Sequence, residues 1–94
     1  MYKTIPMDEF SHSKQPIIDV REAYEYQMGH VPEAVNLPLS GLNESFRQLD
    51  AAKEYHVICQ SGARSARACE FLSGKGYQVV NVLGGTSAWR GKLV

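Results

Sequence analysis

The chain has 94 residues, 44% of them hydrophobic, and its ten basic residues balance ten acidic ones to give a formal net charge of zero. This size predicts one globular domain over residues 1–94, and the neutral balance argues against a general nucleic-acid or anionic-membrane surface. Two cysteines are too few for a disulfide scaffold or a zinc site, and no apolar run approaches the ~20 residues of a membrane helix. We therefore expect a cytoplasmic protein with no metal and no targeting segment.

The first part of the chain alternates short apolar runs with amphipathic stretches. Residues 3–5 predict a strand, and residues 7–10 predict a helical turn. Residues 16–20 then predict a short buried strand. The helical pattern that follows covers residues 21–28, and Gly29 ends it.

The middle of the chain predicts a strand followed by a helix. Residues 34–37 lie between two prolines and predict a short strand. Ser40 is the expected N-cap of the next helix. The apolar residues Leu42, Phe46 and Leu49 follow at helical spacing.

The last part of the chain contains the clearest strand, over residues 55–58. From Ser65 the pattern becomes helical, with small and apolar residues on one face and charged residues on the other, and it ends near Gly74. Residues 78–82 predict another strand, and residues 86–90 a final helical turn.

Alternation of strands and helices predicts an α/β fold in which helices cover both faces of a parallel sheet. Right-handed crossovers bring the carboxyl ends of the strands to one edge, which is where such sheets bind ligands. Three polar segments follow predicted strands there: residues 19–21, the segment that starts at Cys59, and residues 83–85.

The segment after the clearest strand has the features of an anion cradle, and we call residues 59–65 the cysteine loop. Its sequence is Cys59, Gln60, Ser61, Gly62, Ala63, Arg64 and Ser65. Backbone N–H groups of a tight loop before a helix can converge on one point, and the helix N-terminus adds partial positive charge. A cysteine in that position should be rich in thiolate near neutral pH.

The loop side chains support this interpretation over the simpler one, in which Cys59 only ends a core strand. Ser61, Gly62 and Ala63 are small, so they leave the hollow of the loop open, and Gly62 can adopt a positive φ angle. Arg64 adds a permanent charge and five donors that could brace the loop. A core strand needs no such polar loop.

Four segments of the chain, in order, resemble the rhodanese family. They are residues 18–26 (IDVREAYEY), 29–38 (GHVPEAVNLP), 59–65 (CQSGARS) and 82–89 (VLGGTSAW). One departure is Glu33, where the family commonly has glycine, so a positive φ angle at this position would be strained.

The resemblance implies a five-stranded parallel sheet with flanking helices, and a thiosulfate sulfurtransferase. Cys59 would take the outer sulfur of a small anionic donor such as thiosulfate and carry it as a persulfide inside the ring of loop amides. Cyanide, or a small-molecule or protein thiol, would accept it. No cofactor, nucleic acid or membrane is implied, and a monomer is the default expectation.

Three other functions stay open at this point. A protein-to-protein sulfur-relay module would share the persulfide but use thiosulfate poorly. A non-catalytic binding domain is disfavoured, because such domains often lack the cysteine. Cysteine phosphatases and arsenate reductases resemble the loop, but phosphatases place arginine six positions after cysteine, whereas Arg64 is five positions after Cys59.

Residues outside the loop have two interpretations each. Asp19 and Arg21 either brace the loop or form a local pair, Asp-Arg or Arg-Glu, that caps the next helix, and both can hold; neither is expected to be catalytic. His30 is expected to make a structural hydrogen bond rather than to act as a base.

Cys69 is expected to be a small core residue rather than a resolving thiol. Arg67 either extends the positive field at the mouth of the site or is simply solvated. His12 and His56 are interpreted as incidental. The remaining large apolar residues are expected in the core: Tyr24, Phe46, Phe71, Leu72 and Trp89.

Overall fold

The computed structural model describes residues 2–10 and 15–94; the interpretation of His12 lies outside them. In these residues five parallel strands form one sheet, in the order β1-β5-β4-β2-β3. The strands are β1 (Lys3–Pro6), β2 (Ile17–Asp19), β3 (Val35–Asn36), β4 (Glu54–Ile58) and β5 (Gln78–Leu83). The α-helices are α1 (Met7–Phe10), α2 (Ala23–Gln27), α3 (Leu42–Ser45) and α4 (Ala63–Gly74). The predicted α/β fold with a five-stranded parallel sheet is confirmed.

The central strands β4 and β5 are apolar along most of their length because both of their faces are covered. Successive side chains of a strand point to opposite faces, so Val57 and Ile58 enter two different cores. Val57 packs in the cluster that contains Leu72 of α4, and Ile58 packs in the cluster that contains Phe10 of α1.

The predicted helix that begins at Ser40 is wrong. The segment is broken into a 3₁₀ turn (Leu39–Gly41), α3 and a second 3₁₀ turn (Phe46–Gln48). The Ser40 hydroxyl does not cap a helix and instead donates a hydrogen bond to the Glu22 carboxylate at 2.8 Å. Helical spacing of apolar residues does not distinguish α-helix from 3₁₀ turns over so short a segment.

The core predictions hold for most of the large apolar residues and fail for one. Leu72 is fully buried, and Phe46, Phe71 and Trp89 are partly buried against the two cores. Tyr24 is 69% exposed and lies on α2, which has no buried residue. The final predicted helical turn is present as a 3₁₀ turn (Gly85–Ala88).

The helices of the described residues are short, the longest being α4 with 12 residues. Within residues 2–10 and 15–94, no helix is long and apolar enough to cross a membrane.

Glu33 has a φ angle of 73°, and it is the only residue other than glycine with a positive φ angle in the described part of the chain. The left-handed conformation costs a residue with a Cβ atom about 1–2 kcal/mol. Glycine avoids this strain, but it loses more conformational entropy on folding, which offsets part of the gain in stability. We expect Glu33→Gly to raise the free energy of unfolding by about 0.5 kcal/mol, or the Tm by about 2–4 °C, in calorimetry. Glu33→Ala keeps the Cβ atom and should give no such gain; equal gains would contradict backbone strain as the cause.

Candidate active site

The cysteine loop lies at the carboxyl edge of the sheet, between β4 and α4. Strand β4 ends at Ile58 and α4 begins at Ala63, so the loop turns within a few residues. Gly62 makes this turn with a φ angle of 121°, which a residue with a side chain rarely adopts. Because β2 and β5 flank β4 in the sheet, Asp19 and Gly84 lie at the same edge as Cys59, as expected from the strand order.

The sulfur of Cys59 is buried and hydrogen-bonded to its own loop. The Gly62 N–H donates to Cys59 Sγ at 3.0 Å, and Ser65 Oγ lies 3.5 Å from the sulfur. Burial of the thiol opposes ionisation, but its hydrogen bond with the Ser65 side chain and those with the amides of Ser65, Gly62 and Ser61 outweigh the effect of burial. The pKa of Cys59 is therefore lowered, in the direction that the sequence predicted.

Ser65 lies in the first turn of α4, as expected, and is fully buried. Its Oγ is 3.0 Å from the Gly62 carbonyl oxygen and 2.5 Å from Asn81 Oδ1 on β5. Asn81 is not among the site residues predicted from the sequence. The available signal was a single polar residue inside the apolar run of β5.

Arg64 braces the cysteine loop through a partner on another element. It donates to both carboxylate oxygens of Glu25 on α2, at 2.6 and 2.9 Å. The Arg64 side chain holds the pKa of Glu25 at about 2, despite an opposing effect of burial. A bracing role for Arg64 was expected from the sequence, but its partner Glu25, 39 residues away in the chain, was not.

Asp19 and Arg21 form a buried ion pair that also contacts the loop. Arg21 Nε donates to both carboxylate oxygens of Asp19 at 3.1 Å, and Nη2 donates to Oδ2 at 3.0 Å. The same guanidinium donates to Gln60 Oε1 at 3.3 Å and to the Gly29 carbonyl at 2.8 Å. The contacts of both interpretations are therefore present, a local pair and a hydrogen bond to Gln60 of the loop, but the helix that follows is capped by Glu22 and Glu25 rather than by this pair.

The glycine pair after β5 packs directly beneath the cysteine loop. The Thr86 N–H donates to the Cys59 carbonyl at 2.8 Å, and the Ser87 N–H donates to the Gln60 carbonyl at 3.0 Å. A Cβ atom added to Gly85 would lie 2.2 Å from the Cys59 carbonyl oxygen. Only glycine allows this close approach, because that distance is far below van der Waals contact.

We expect Gly85→Ala to displace the cysteine loop and to lower the free energy of unfolding by about 2–4 kcal/mol. Overlap with the Cys59 carbonyl adds to the cost of a side chain at a φ angle of 53°. Chemical denaturation measures the loss. Gly74→Ala is the matched control, because no atom beyond its chain neighbours and its own helix backbone would lie within 4 Å of its Cβ atom, and the φ angle is ordinary. A loss as large in the control would show that the contact is not the cause.

The other candidate residues lie where a structural role would place them. Cys69 is fully buried on α4, and burial, with a smaller effect of Cys59, raises its pKa to about 12. His30 Nδ1 is 3.0 Å from the Tyr26 carbonyl oxygen, consistent with a structural hydrogen bond. His56 is buried against the edge of Phe10. Arg67 is exposed on α4, a position compatible with both of its interpretations.

A shallow pocket opens beside the cysteine loop on the side of α2. It is lined by Arg21, Glu25, Met28, Gly29, Gln60, Thr86, Ser87 and Leu93. Both charged residues in this lining are already paired, Arg21 with Asp19 and Glu25 with Arg64. The pocket therefore offers neutral polar groups and apolar surface next to the loop, and Met28 is 87% exposed at its rim.

Comparison with known protein families assigns this chain to one of them. The family model described as "Rhodanese-like domain" matches residues 7–92. The chain belongs to the rhodanese-like family. Each of the four segments that suggested the resemblance includes or directly follows the carboxyl end of a strand: β2, β3, β4 or β5.

Relatives of this rhodanese-like chain include proteins named as sulfurtransferases. It is 43% identical over 76 residues to the putative sulfurtransferase YtwF of Bacillus subtilis, a match that covers 81% of this chain and 74% of YtwF. It is 30% identical over 93 residues to the thiosulfate sulfurtransferase GlpE of Pseudomonas savastanoi, covering 95% of this chain and 88% of GlpE. The crystal structure of a rhodanese-related protein from Thermoplasma volcanium superposes with a TM-score of 0.90 at 38% identity, covering 99% and 98% of the two chains.

Proposed function

We propose that this chain, as one domain over residues 1–94, transfers sulfane sulfur from thiosulfate or a similar donor to a thiophilic acceptor, with Cys59 as the sulfur carrier. The observation that supports this most directly is the hydrogen bonding of Cys59 Sγ. A buried sulfur that accepts N–H groups of its own loop and has a lowered pKa is suited to react as a thiolate.

The proposed reaction has two displacements at sulfur. The Cys59 thiolate attacks the outer sulfur of thiosulfate, the S–S bond of thiosulfate breaks, and sulfite leaves with the electron pair. The Cys59 persulfide then receives attack at its outer sulfur by cyanide or by a thiolate. Thiocyanate or a new persulfide forms, and the Cys59 thiolate leaves with the electron pair. Neither step needs a metal or an organic cofactor.

The cysteine loop would hold the reacting anions. We propose that residues 60–65 form the substrate-binding loop, in which the backbone amides stabilise negative charge on the donor and on the outer sulfur of the persulfide. Arg64 keeps the loop closed through its pair with Glu25.

Asp19 and Arg21 would act through the position of Gln60 rather than by touching the reacting sulfur. The exposed Gln60, Ser61 and Ala63 lie on the solvent side of the buried thiol, where a donor or acceptor would approach. We also propose that the chain acts in the cytoplasm, because two cysteines are too few for the disulfide scaffold of a small secreted domain.

The test is intact-protein mass spectrometry after treatment with thiosulfate, followed by tryptic mapping. We expect a gain of one sulfur atom, and cyanide should remove it with release of thiocyanate. A sulfinic acid adds almost the same mass but does not react with cyanide. Trypsin cleaves after Lys53, Arg64 and Arg67, so the two cysteines lie in separate peptides and the adduct is assigned to one of them.

The outcomes separate the proposed activity from its alternatives. An adduct on the Cys59 peptide with rapid thiocyanate release supports a thiosulfate sulfurtransferase. An adduct that passes slowly to cyanide but quickly to a thiol supports the sulfur-relay module instead. A folded, reduced protein that gains no sulfur would exclude thiosulfate as the donor. Hydrolysis of an aryl phosphate that depends on Cys59 would then favour the phosphatase alternative.

A further inference from the structure

Asn81 is a polar residue in an apolar position. It lies in the middle of β5, between valines, and is 3% exposed. Its register partner on β4 is Val57, which has no exposed surface. A buried amide oxygen needs a hydrogen-bond donor, and the donor here is the Ser65 hydroxyl at 2.5 Å.

The Ser65 hydroxyl has one hydrogen and three acceptors within reach. They are Asn81 Oδ1 at 2.5 Å, the Gly62 carbonyl oxygen at 3.0 Å and Cys59 Sγ at 3.5 Å. The shortest contact is the one to Asn81. In the protonated state the thiol of Cys59 donates to Ser65 Oγ, and Ser65 in turn donates to Asn81, so the chain of donors runs away from the sulfur.

Ionisation of Cys59 changes its sulfur from a hydrogen-bond donor into an acceptor. A thiolate only accepts, so Ser65 can stabilise it only by turning its hydrogen from Asn81 to the sulfur. That turn leaves the buried Oδ1 of Asn81 without its donor, which is unfavourable. The Gly62 carbonyl loses less in the same turn, because the Ala66 N–H already donates to it at 3.1 Å. Asn81 is therefore the group that competes with the sulfur.

We propose that Asn81 is a positioning residue that holds the Ser65 hydrogen away from the Cys59 sulfur and so limits how readily the thiolate forms. This inference rests on the proposed role of Cys59 as the nucleophile. Competition between Asn81 and the Cys59 sulfur for the Ser65 hydrogen would favour reactivity, since a thiolate with fewer hydrogen-bond donors is a stronger nucleophile than one that is fully hydrogen-bonded.

Among the described residues, the ionisable side chains that contact the loop are paired or neutral, and the nearby Arg67 is exposed to solvent on α4. Arg64 is paired with Glu25, and Arg21 with Asp19. Cys69 stays a thiol at neutral pH because its pKa is about 12. A change in Cys59 ionisation on substitution of Asn81 can therefore be assigned to the hydrogen-bond chain.

The test is the pH profile of Cys59 alkylation by iodoacetamide, followed on the tryptic peptide that contains Cys59. Asn81→Val matches the neighbouring valines of β5 and removes the acceptor. Asn81→Leu also removes it, keeps the branch at Cγ that asparagine has, and serves if the valine variant folds poorly. We expect the Cys59 pKa to fall by about one unit. At a pH below the Cys59 pKa, the thiolate fraction then rises about tenfold while the nucleophilicity of each thiolate falls about threefold. Alkylation at that pH should therefore be about threefold faster.

The same substitution in a Ser65→Ala background is the control, because the inferred effect passes through Ser65 alone. There the Cys59 pKa should not change when Asn81 is replaced. The inference would be overturned if replacing Asn81 left the Cys59 pKa unchanged or raised it in the protein that keeps Ser65. An equal fall of the Cys59 pKa in the Ser65→Ala background would overturn it as well. The alkylation assay uses the free thiol, so it remains readable even if the chain takes no sulfur from thiosulfate.

Discussion

A Cys59→Ser variant is expected to take up no sulfur from thiosulfate and to lose sulfur transfer by at least about 10³-fold. Serine preserves the size of the side chain and can use the same partners, Gly62 and Ser65. Its hydroxyl is not ionised at neutral pH and cannot carry the transferred sulfur as a persulfide. Thiocyanate release and intact mass measure the loss, and circular dichroism shows whether the fold is retained.

Cys69→Ser is the matched control for the nucleophile. Cys69 is fully buried, and its thiol stays protonated at neutral pH. This variant should lose stability, because it places a hydroxyl in the core, but should keep most of the sulfur transfer of the protein that remains folded. Persistence of transfer in Cys59→Ser together with its loss in Cys69→Ser would move the sulfur carrier to Cys69.

Asp19→Asn is expected to lower the free energy of unfolding by about 3 kcal/mol. The substitution keeps the shape of the side chain but removes the charge that neutralises Arg21, which is 5% exposed in its side chain. A buried cation without its partner is costly, and the loss corresponds to a fall in Tm of more than about 10 °C in calorimetry. Sulfur transfer should also fall, because Arg21 holds Gln60 of the cysteine loop.

Two controls test whether the stability loss in Asp19→Asn comes from burial of the unpaired charge or only from the loss of an ion pair. Glu25→Gln breaks the more exposed pair with Arg64, and we expect it to cost less than about 1 kcal/mol. The double variant Asp19→Leu with Arg21→Met removes both charges, and we expect it to regain most of the stability but not the contact with Gln60. Equal losses in Asp19→Asn and Glu25→Gln would contradict the argument from burial.

The parts of the fold that could be predicted from the sequence depend on local patterns. Residues 55–58 and 78–82 are apolar runs with turn residues after them, and both are strands in the structure, each longer by one residue. The cysteine loop was recognisable because a polar segment with small residues and Arg64 is conspicuous between a buried strand and a helix. The resemblance pointed to Glu33 as a position where a positive φ angle would be strained, and the structure has a φ angle of 73° there.

The parts that could not be predicted depend on contacts between distant segments. Nothing near Arg64 in the sequence indicates Glu25, since their contact arises only when α2 and α4 meet at the sheet edge. The contact between Ser65 and Asn81 likewise needs α4 packed on β5. Tyr24 was misassigned to the core because a helix of five residues has too few positions to show which face is buried.

The sheet order also constrains how the chain folds during synthesis. β1 is an edge strand that pairs with β5, so the first strand made has no neighbour in the sheet until residues 78–83 exist. β4, α4 and β5 are consecutive and pack on each other, so their contacts close short loops, which is the cheaper step entropically. We therefore expect folding to begin in the C-terminal half. The cysteine loop, which joins β4 to α4, would take shape with this nucleus, and the N-terminal strand would dock last.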